Sequence, residues 1–206
     1  NGLGLHAVVL NYRVAPYRHP YPLMDAQRAL RLVRYHAADW GVDPQRVGIL
    51  GFSAGGHLAA TAGTHFDSGS PSASDPVEAV GCRPDFMILC YPVISFASEY
   101  SHVGSCHNLL GPNPSLELRL LLSNEQQVTE ATPLTFLWHT ANDAGVAVEN
   151  SLMFAAALSR HGVPWELHVF PDGPHGLGLA DEHPQVRAWP ALCAAWLIEG
   201  GWRSPS

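Results

Sequence analysis

Four short runs of nearly unbroken apolar residues constrain this chain most. They are Arg46-Val-Gly-Ile-Leu-Gly51, Asp85-Phe-Met-Ile-Leu-Cys-Tyr91, Leu134-Thr-Phe-Leu-Trp-His-Thr140 and Trp165-Glu-Leu-His-Val-Phe170. Strands with one wet face alternate apolar and polar residues, and these runs do not. They suit parallel strands covered on both faces, with helices as the covers. A fifth candidate strand, His6-Ala-Val-Val-Leu-Asn-Tyr12, precedes them.

Helical patterns fill the intervals. From about Leu23 to Trp40, Leu23, Ala26, Leu30, Val33 and Ala37 fall at three- and four-residue steps. Arg28, Arg31 and Arg34 are expected to face outward, and Gly41 ends the helix. A helix of small residues runs from His57 to about Gly63. Others are expected over about 115–122, 146–161 and 184–197. Residues 66–81 read as a Ser/Gly/Pro-rich loop. Residues 93–114 read as a long irregular stretch of the kind that often carries function. No repeat or linker is visible. Residues 1–206 therefore read as a single α/β domain, a three-layer αβα sandwich on a mostly parallel sheet.

Composition excludes several classes of chemistry. With 18 acidic and 11 basic residues the net charge is −7, so no nucleic-acid footprint is present. All the basic residues are Arg. A chain without Lys cannot form a Schiff base, hold pyridoxal phosphate, use a Ser–Lys dyad or build a Lys-bearing phosphate loop. Cys82, Cys90, Cys106 and Cys193 form no C-x-x-C pair. Cys90 reads as a small buried hydrophobe, and a Cys82–Cys106 disulfide stays open. The twelve His include no H-E-x-x-H, so neither a metal nor another cofactor is expected. No apolar run is long enough to span a bilayer, and no membrane partner is expected.

Gly51-Phe-Ser53-Ala-Gly55 follows one strand directly and opens a helix of small residues. This is the strand–turn–helix setting of a nucleophile elbow. The turn is so sharp that residues two before and two after the Ser must be small, a demand met by Gly51 and Gly55. The helix N-terminus then aims its positive end where an oxyanion would form.

A Ser hydroxyl needs a base, and the base needs a carboxylate to orient it. Both are expected in the order Ser, acid, His, just past the carboxyl ends of strands. Asp143 lies three residues beyond Thr140, and His175 lies five beyond Phe170 in a Gly-Pro-His-Gly turn. The rivals fit less well. Asp172 follows the wrong strand, and Glu149 sits inside a helix. His139 and His168 fall within strands, where packed core histidines are the rule. His57 lies four past Ser53 and is expected to point under the turn.

Asn11-Tyr-Arg-Val-Ala-Pro16, Gly51-Phe-Ser-Ala-Gly-Gly-His-Leu-Ala59, Arg83-Pro-Asp-Phe86 with Tyr91-Pro-Val-Ile94, Val148-Glu-Asn-Ser151 and Gly173-Pro-His-Gly176 together resemble the serine esterases of the α/β-hydrolase fold. They resemble most the bacterial acetyl-esterase and acetyl-xylan-esterase-like branch, over about residues 6–201. The resemblance implies Ser53 as nucleophile, Asp143 as acid, His175 as base and the Ala54 N–H as an oxyanion donor. It implies a small-molecule ester or an acetylated carbohydrate such as xylan as substrate, and leaves the compartment open between bacterial export and the cytoplasm. Ala147 stands where the family commonly has Pro. The family's H-G-G-G segment, which supplies the other oxyanion donors, is absent. The resemblance therefore implies an N-terminally truncated sequence, starting within the connection before the family's fourth strand and lacking a central third strand. Two other readings remain: a peptidase like the prolyl-oligopeptidase catalytic domain, or a catalytically inert fragment.

Overall fold

The computed structural model describes residues 5–202. The four apolar runs form strands β1 (Ile49–Phe52), β2 (Phe86–Cys90), β3 (Leu134–Thr140) and β4 (Trp165–Phe170). They make one parallel sheet in the order β1-β2-β3-β4. Between and around them lie helices α1 (Tyr21–Tyr35), α2 (Ala37–Trp40), α3 (Ala54–Thr64), α4 (Val103–Leu110), α5 (Leu116–Leu121), α6 (Glu149–Arg160) and α7 (Trp189–Glu199).

Side-chain alternation along the strands sorts the two faces. Phe86, Ile88, Phe136 and Trp138 point to one side and pack on Trp189, Cys193, Trp196 and Leu197 of α7. Met87, Leu89 and Leu137 point to the other and meet Ala59 and Ala60 of α3 with Phe154, Ala157 and Leu158 of α6. Outside α3, Leu23, Ala26 and Leu30 of α1 bury against Leu58 and Ala62. The result is the expected α/β/α sandwich. Helix α3 lies close on β2 because it is built of small residues: a Cβ on Gly63 would overlap Met87 Sδ.

Four expectations differ from the structure. The segment expected as a strand over His6–Tyr12 is irregular. Val8 and Val9 are 67% and 88% exposed, while Leu10 and Tyr12 pack on the α1–α3 cluster. Apolar, β-branched residues become a strand only where a neighbour supplies backbone partners. Among the described residues, none pairs with this segment. The helix expected to run unbroken to Trp40 is interrupted at His36, and Gly41 then closes α2 at φ +64°. Of the outward arginines, Arg31 is buried: it contacts Asp67, Glu78 and the Val80 carbonyl. Arg31 and Arg34 thus pin the 66–85 connection to α1, with Arg34 bound to Asp85 and the carbonyls of Pro44 and Arg83. Finally, part of the stretch expected to be irregular forms α4, whose N-terminus is capped by the His102 ring.

All four cysteines are free and buried, so no Cys82–Cys106 bond exists. Among the described residues, no helix is long and apolar enough to cross a membrane, and no cluster of three or more His, Cys, Asp or Glu has metal-site geometry.

Candidate active site

The site is assembled at the carboxyl ends of the parallel strands. β1 runs into Ser53, which sits at φ +52° and ψ −118° immediately before α3. A non-glycine residue in the left-handed region is strained, and the surroundings must hold it there. They do: the Ser53 N–H donates to Cys90 O at 3.0 Å, and Ser53 O accepts from Val93 N and His57 N, both at 3.1 Å. The elbow is thereby clamped to the end of β2 on one side and to the first turn of α3 on the other.

The glycines divide differently from expectation. A Cβ on Gly51 would overlap the Gly55 carbonyl, so Gly51 is required. A Cβ on Gly55 would have room, its nearest neighbour being Tyr12 Oη at 3.8 Å. The second crowded position is Gly56, whose Cβ would stand 2.7 Å from Pro92 Cβ. Gly55 contributes its backbone to the tight approach, and Gly56 supplies the missing side chain.

Asp143 and His175 arrive on neighbouring loops, after β3 and β4. Ser53 Oγ lies 2.7 Å from His175 Nε2, and His175 Nδ1 lies 2.7 Å from Asp143 Oδ2. An ionised carboxylate only accepts, so Nδ1 carries the ring proton and Nε2 is free to accept from the Ser53 hydroxyl. Asp143 Oδ1 accepts from the amides of Gly145 and Val146 at 2.8 and 2.9 Å. The carboxyl group is fully buried, which raises its pKa. Donors from His139, His175, Val146 and Gly145 outweigh that burial and hold it well below the usual carboxylate range. Asp143 is therefore an anion throughout the neutral range.

Residues to which the sequence assigned no role hold these loops together. Asn142 Oδ1 accepts from Gly173 N at 2.9 Å and its amide donates to Asp172. Thr140 Oγ1 donates to Gly173 O at 2.8 Å. Gly145 is small because His175 lies against it: a Cβ there would stand 2.8 Å from His175 Cγ. Tyr91 packs edge-on to the His175 ring, centroids 5.1 Å apart, and its hydroxyl accepts from Gly178 N at 3.0 Å. Asn150 satisfies four backbone groups, the N–H of Ile94 and Ser95 and the carbonyls of Tyr100 and Ala147. That accounts for the Asn in the Val148–Ser151 segment.

The rivals fall elsewhere. His57 takes no part in the Ser53–His175 contact: it is buried, its Nε2 donating to Leu122 O at 2.8 Å and its ring stacked on Phe96 at 4.3 Å. Asp172 is exposed and bound to Asn142. Ala54 is the first residue of α3, so its N–H has no intrahelical acceptor and points from the helix's positive end. A cavity of about 310 Å³ reaches the site at Ala54, walled by Tyr12, Leu23, Leu58, Phe96 and Leu109 with Arg13 and Asn108. Chemically, the arrangement can deprotonate a hydroxyl at Ser53, hold the resulting imidazolium against an anion, and offer an N–H to developing negative charge.

Comparison with known proteins gives a family and several relatives. The BD-FAE family model matches residues 3–158. The chain is 39% identical over 183 residues to endo-1,4-beta-xylanase B of Butyrivibrio fibrisolvens, covering 87% of this chain and 28% of that protein. It is 34% identical over 183 residues to acetylxylan esterase of Xylanibacter ruminicola, covering 87% and 36%. The chain thus spans about a third of the length of these relatives. A solved structure, the acetyl ester-xyloside bifunctional hydrolase from Caldicellulosiruptor lactoaceticus, superposes with a TM-score of 0.97 at 57% identity, over 98% of this chain and 74% of that one.

Proposed function

The chain belongs to the BD-FAE family and has the α/β-hydrolase fold, and on that footing we propose that it is a serine carboxylic ester hydrolase for short acyl groups, acetyl first. One observation carries the reading: the continuous relay from Ser53 Oγ through His175 to the buried Asp143, with both links at 2.7 Å. In this mechanism Ser53 Oγ attacks the ester carbonyl carbon while His175 Nε2 takes its proton. The tetrahedral oxyanion meets the Ala54 N–H. The C–O bond to the alcohol breaks as His175 returns the proton to the leaving oxygen. Water then attacks acetyl-Ser53 with His175 as base, releasing acetate and free Ser53.

Relatives named for xylan and acetylxylan support an acetylated carbohydrate as the alcohol side. The cavity beside Ala54, apolar with a few polar groups, suits one small substrate group; Ser53 and His175 do not line it. The test compares wild type with Ser53→Ala on p-nitrophenyl acetate and on acetylated xylan. Turnover is expected to fall to the background rate on both. Fluorophosphonate labelling should map to Ser53 and vanish in the variant. Full activity without the Ser53 hydroxyl would refute the reading.

A further inference from the structure

A second imidazole stands behind the acid. His139, near the end of β3, is completely buried. Its Nε2 lies 2.9 Å from Val146 O and its Nδ1 lies 2.8 Å from Ser151 Oγ, at the start of α6. A carbonyl only accepts, so Nε2 carries the proton, and in the neutral ring Nδ1 accepts from the Ser151 hydroxyl. The same Nε2–H lies 3.5 Å from Asp143 Oδ2, the oxygen that accepts from His175. Val146 is held from both ends, its carbonyl by His139 and its amide by Asp143 Oδ1 at 2.9 Å.

From this geometry we infer that His139 is a positioning residue for the Asp143–His175 pair: it fixes the loop that presents Val146 N–H to the carboxylate and sets a further N–H dipole beside Oδ2. The inference rests on the triad reading above. Its consequence is electrostatic as well as steric. A donor beside the carboxylate stabilises its anionic form and draws off charge that would otherwise stabilise the imidazolium. The pair therefore holds its catalytic proton less tightly than it would without His139. The titratable groups facing the carboxylate are His139 from β3, His175 from the loop after β4 and Tyr91 from the end of β2. The Tyr91 phenol is kept protonated by burial. Helix α6 meets these groups through neutral side chains, Ser151 on the His139 ring and Asn150 on the Ala147 carbonyl.

The experiment measures kcat and KM for p-nitrophenyl acetate across pH in wild type, His139→Asn, His139→Gln and Ser53→Ala, with thermal melts as a check on folding. Asn can keep a partner for Ser151 but places no donor where Nε2 was, whereas Gln restores one. Loss of the donor makes the pair more basic, so the acid limb of kcat/KM should move to higher pH by about half a unit in His139→Asn. kcat should fall about tenfold, with KM nearly unchanged, because a slackened loop misplaces the base rather than the substrate. His139→Gln should return the limb to its wild-type position. If the Asn and Gln variants lose kcat alike with the acid limb unmoved, His139 is a core residue only, and the inference falls while the triad reading stands. If Ser53→Ala stays active, the triad reading falls and takes the inference with it. Should His139→Asn lose its cooperative melt, Ser151→Ala serves instead. It releases the ring at Nδ1, and the limb must move in the same direction or the inference is overturned.

Discussion

His57 makes the stability of this protein depend on pH in a calculable way. Burial drives its pKa down from 6.5 to about 4, against the bond to Leu122 O, which raises it. The unfolded chain takes up a proton on this ring near pH 6.5, and the folded protein refuses it until pH has dropped to about 4. Between those limits the unfolded state binds more protons, so stability falls as pH falls. The contribution is whole above pH 6.5. At pH 5 the unfolded chain has gained about 2 kcal/mol from this one group, and at pH 4 about 3 kcal/mol. The perturbation that isolates it is His57→Gln, which keeps a donor near Leu122 O and removes the titration. Losing the stack on Phe96 costs the variant stability at every pH, so slopes are compared, not absolute values. Urea unfolding at pH 7 and pH 5 should show wild type losing about 2 kcal/mol more than the variant over that interval. His19 and His65, also pushed down by burial, titrate in both proteins, and their repulsion of a charged His57 is part of the difference measured. Equal losses in the two proteins would mean that His57 gains a proton without unfolding, and the burial argument would be wrong.

Two further outcomes follow from the site. Asp143→Asn keeps the shape but takes away the anion that orients His175 and stabilises the imidazolium. Turnover should fall about 10⁴-fold with the melting temperature little changed, whereas a loss under tenfold would show that Asp143 is not the acid. Gly51→Ala puts a methyl into the Gly55 carbonyl, so it should destabilise by about 1–3 kcal/mol and abolish labelling of Ser53. Gly55→Ala, with open space at its Cβ, should keep most of both. If the two variants behave alike, the close approach at Gly51 is not what shapes the elbow.

What the sequence made legible, and what it hid, have physical causes. Strands β2 and β3 showed as apolar runs because both of their faces are covered, by α7 on one side and by α3 and α6 on the other, while the edge strands β1 and β4 are covered in part and leave Leu50, Trp165 and Val169 exposed. The candidate strand over His6–Tyr12 carried the same local signal, but pairing is not local: a strand exists only against a neighbour. The Arg28, Arg31 and Arg34 series looked like a solvated helix face because charge suggests water. Helical spacing cannot reveal that Asp67, Asp75, Glu78 and Asp85 return from later in the chain to meet all three of them. Helix α4 lay hidden because its cap is a histidine ring, outside the usual Ser, Thr, Asp and Asn signal.

The site shows the same division more sharply. Ser53, Asp143 and His175 could be placed because each follows a strand end, and the strand ends of a parallel sheet converge on one rim. The residues that tune them follow no such rule. Gly55 and Gly56 are adjacent, and only the approach of Pro92 decides which of them must lack a side chain. His139 reads as a core histidine by every local criterion, and it is one: fully buried with both ring nitrogens satisfied by protein groups. What distinguishes it is that the loop after β3 folds back on its own strand, bringing Asp143 Oδ2 within 3.5 Å of a residue only four positions earlier. The turn that presents Asp143 to His175 also brings it back over the strand it left. The side chain at that position on β3 therefore becomes part of the acid's surroundings, whatever its identity. In this chain it is an imidazole with a proton aimed at the loop, which is why replacements at position 139 with and without an N–H at the same place should separate packing from electrostatics.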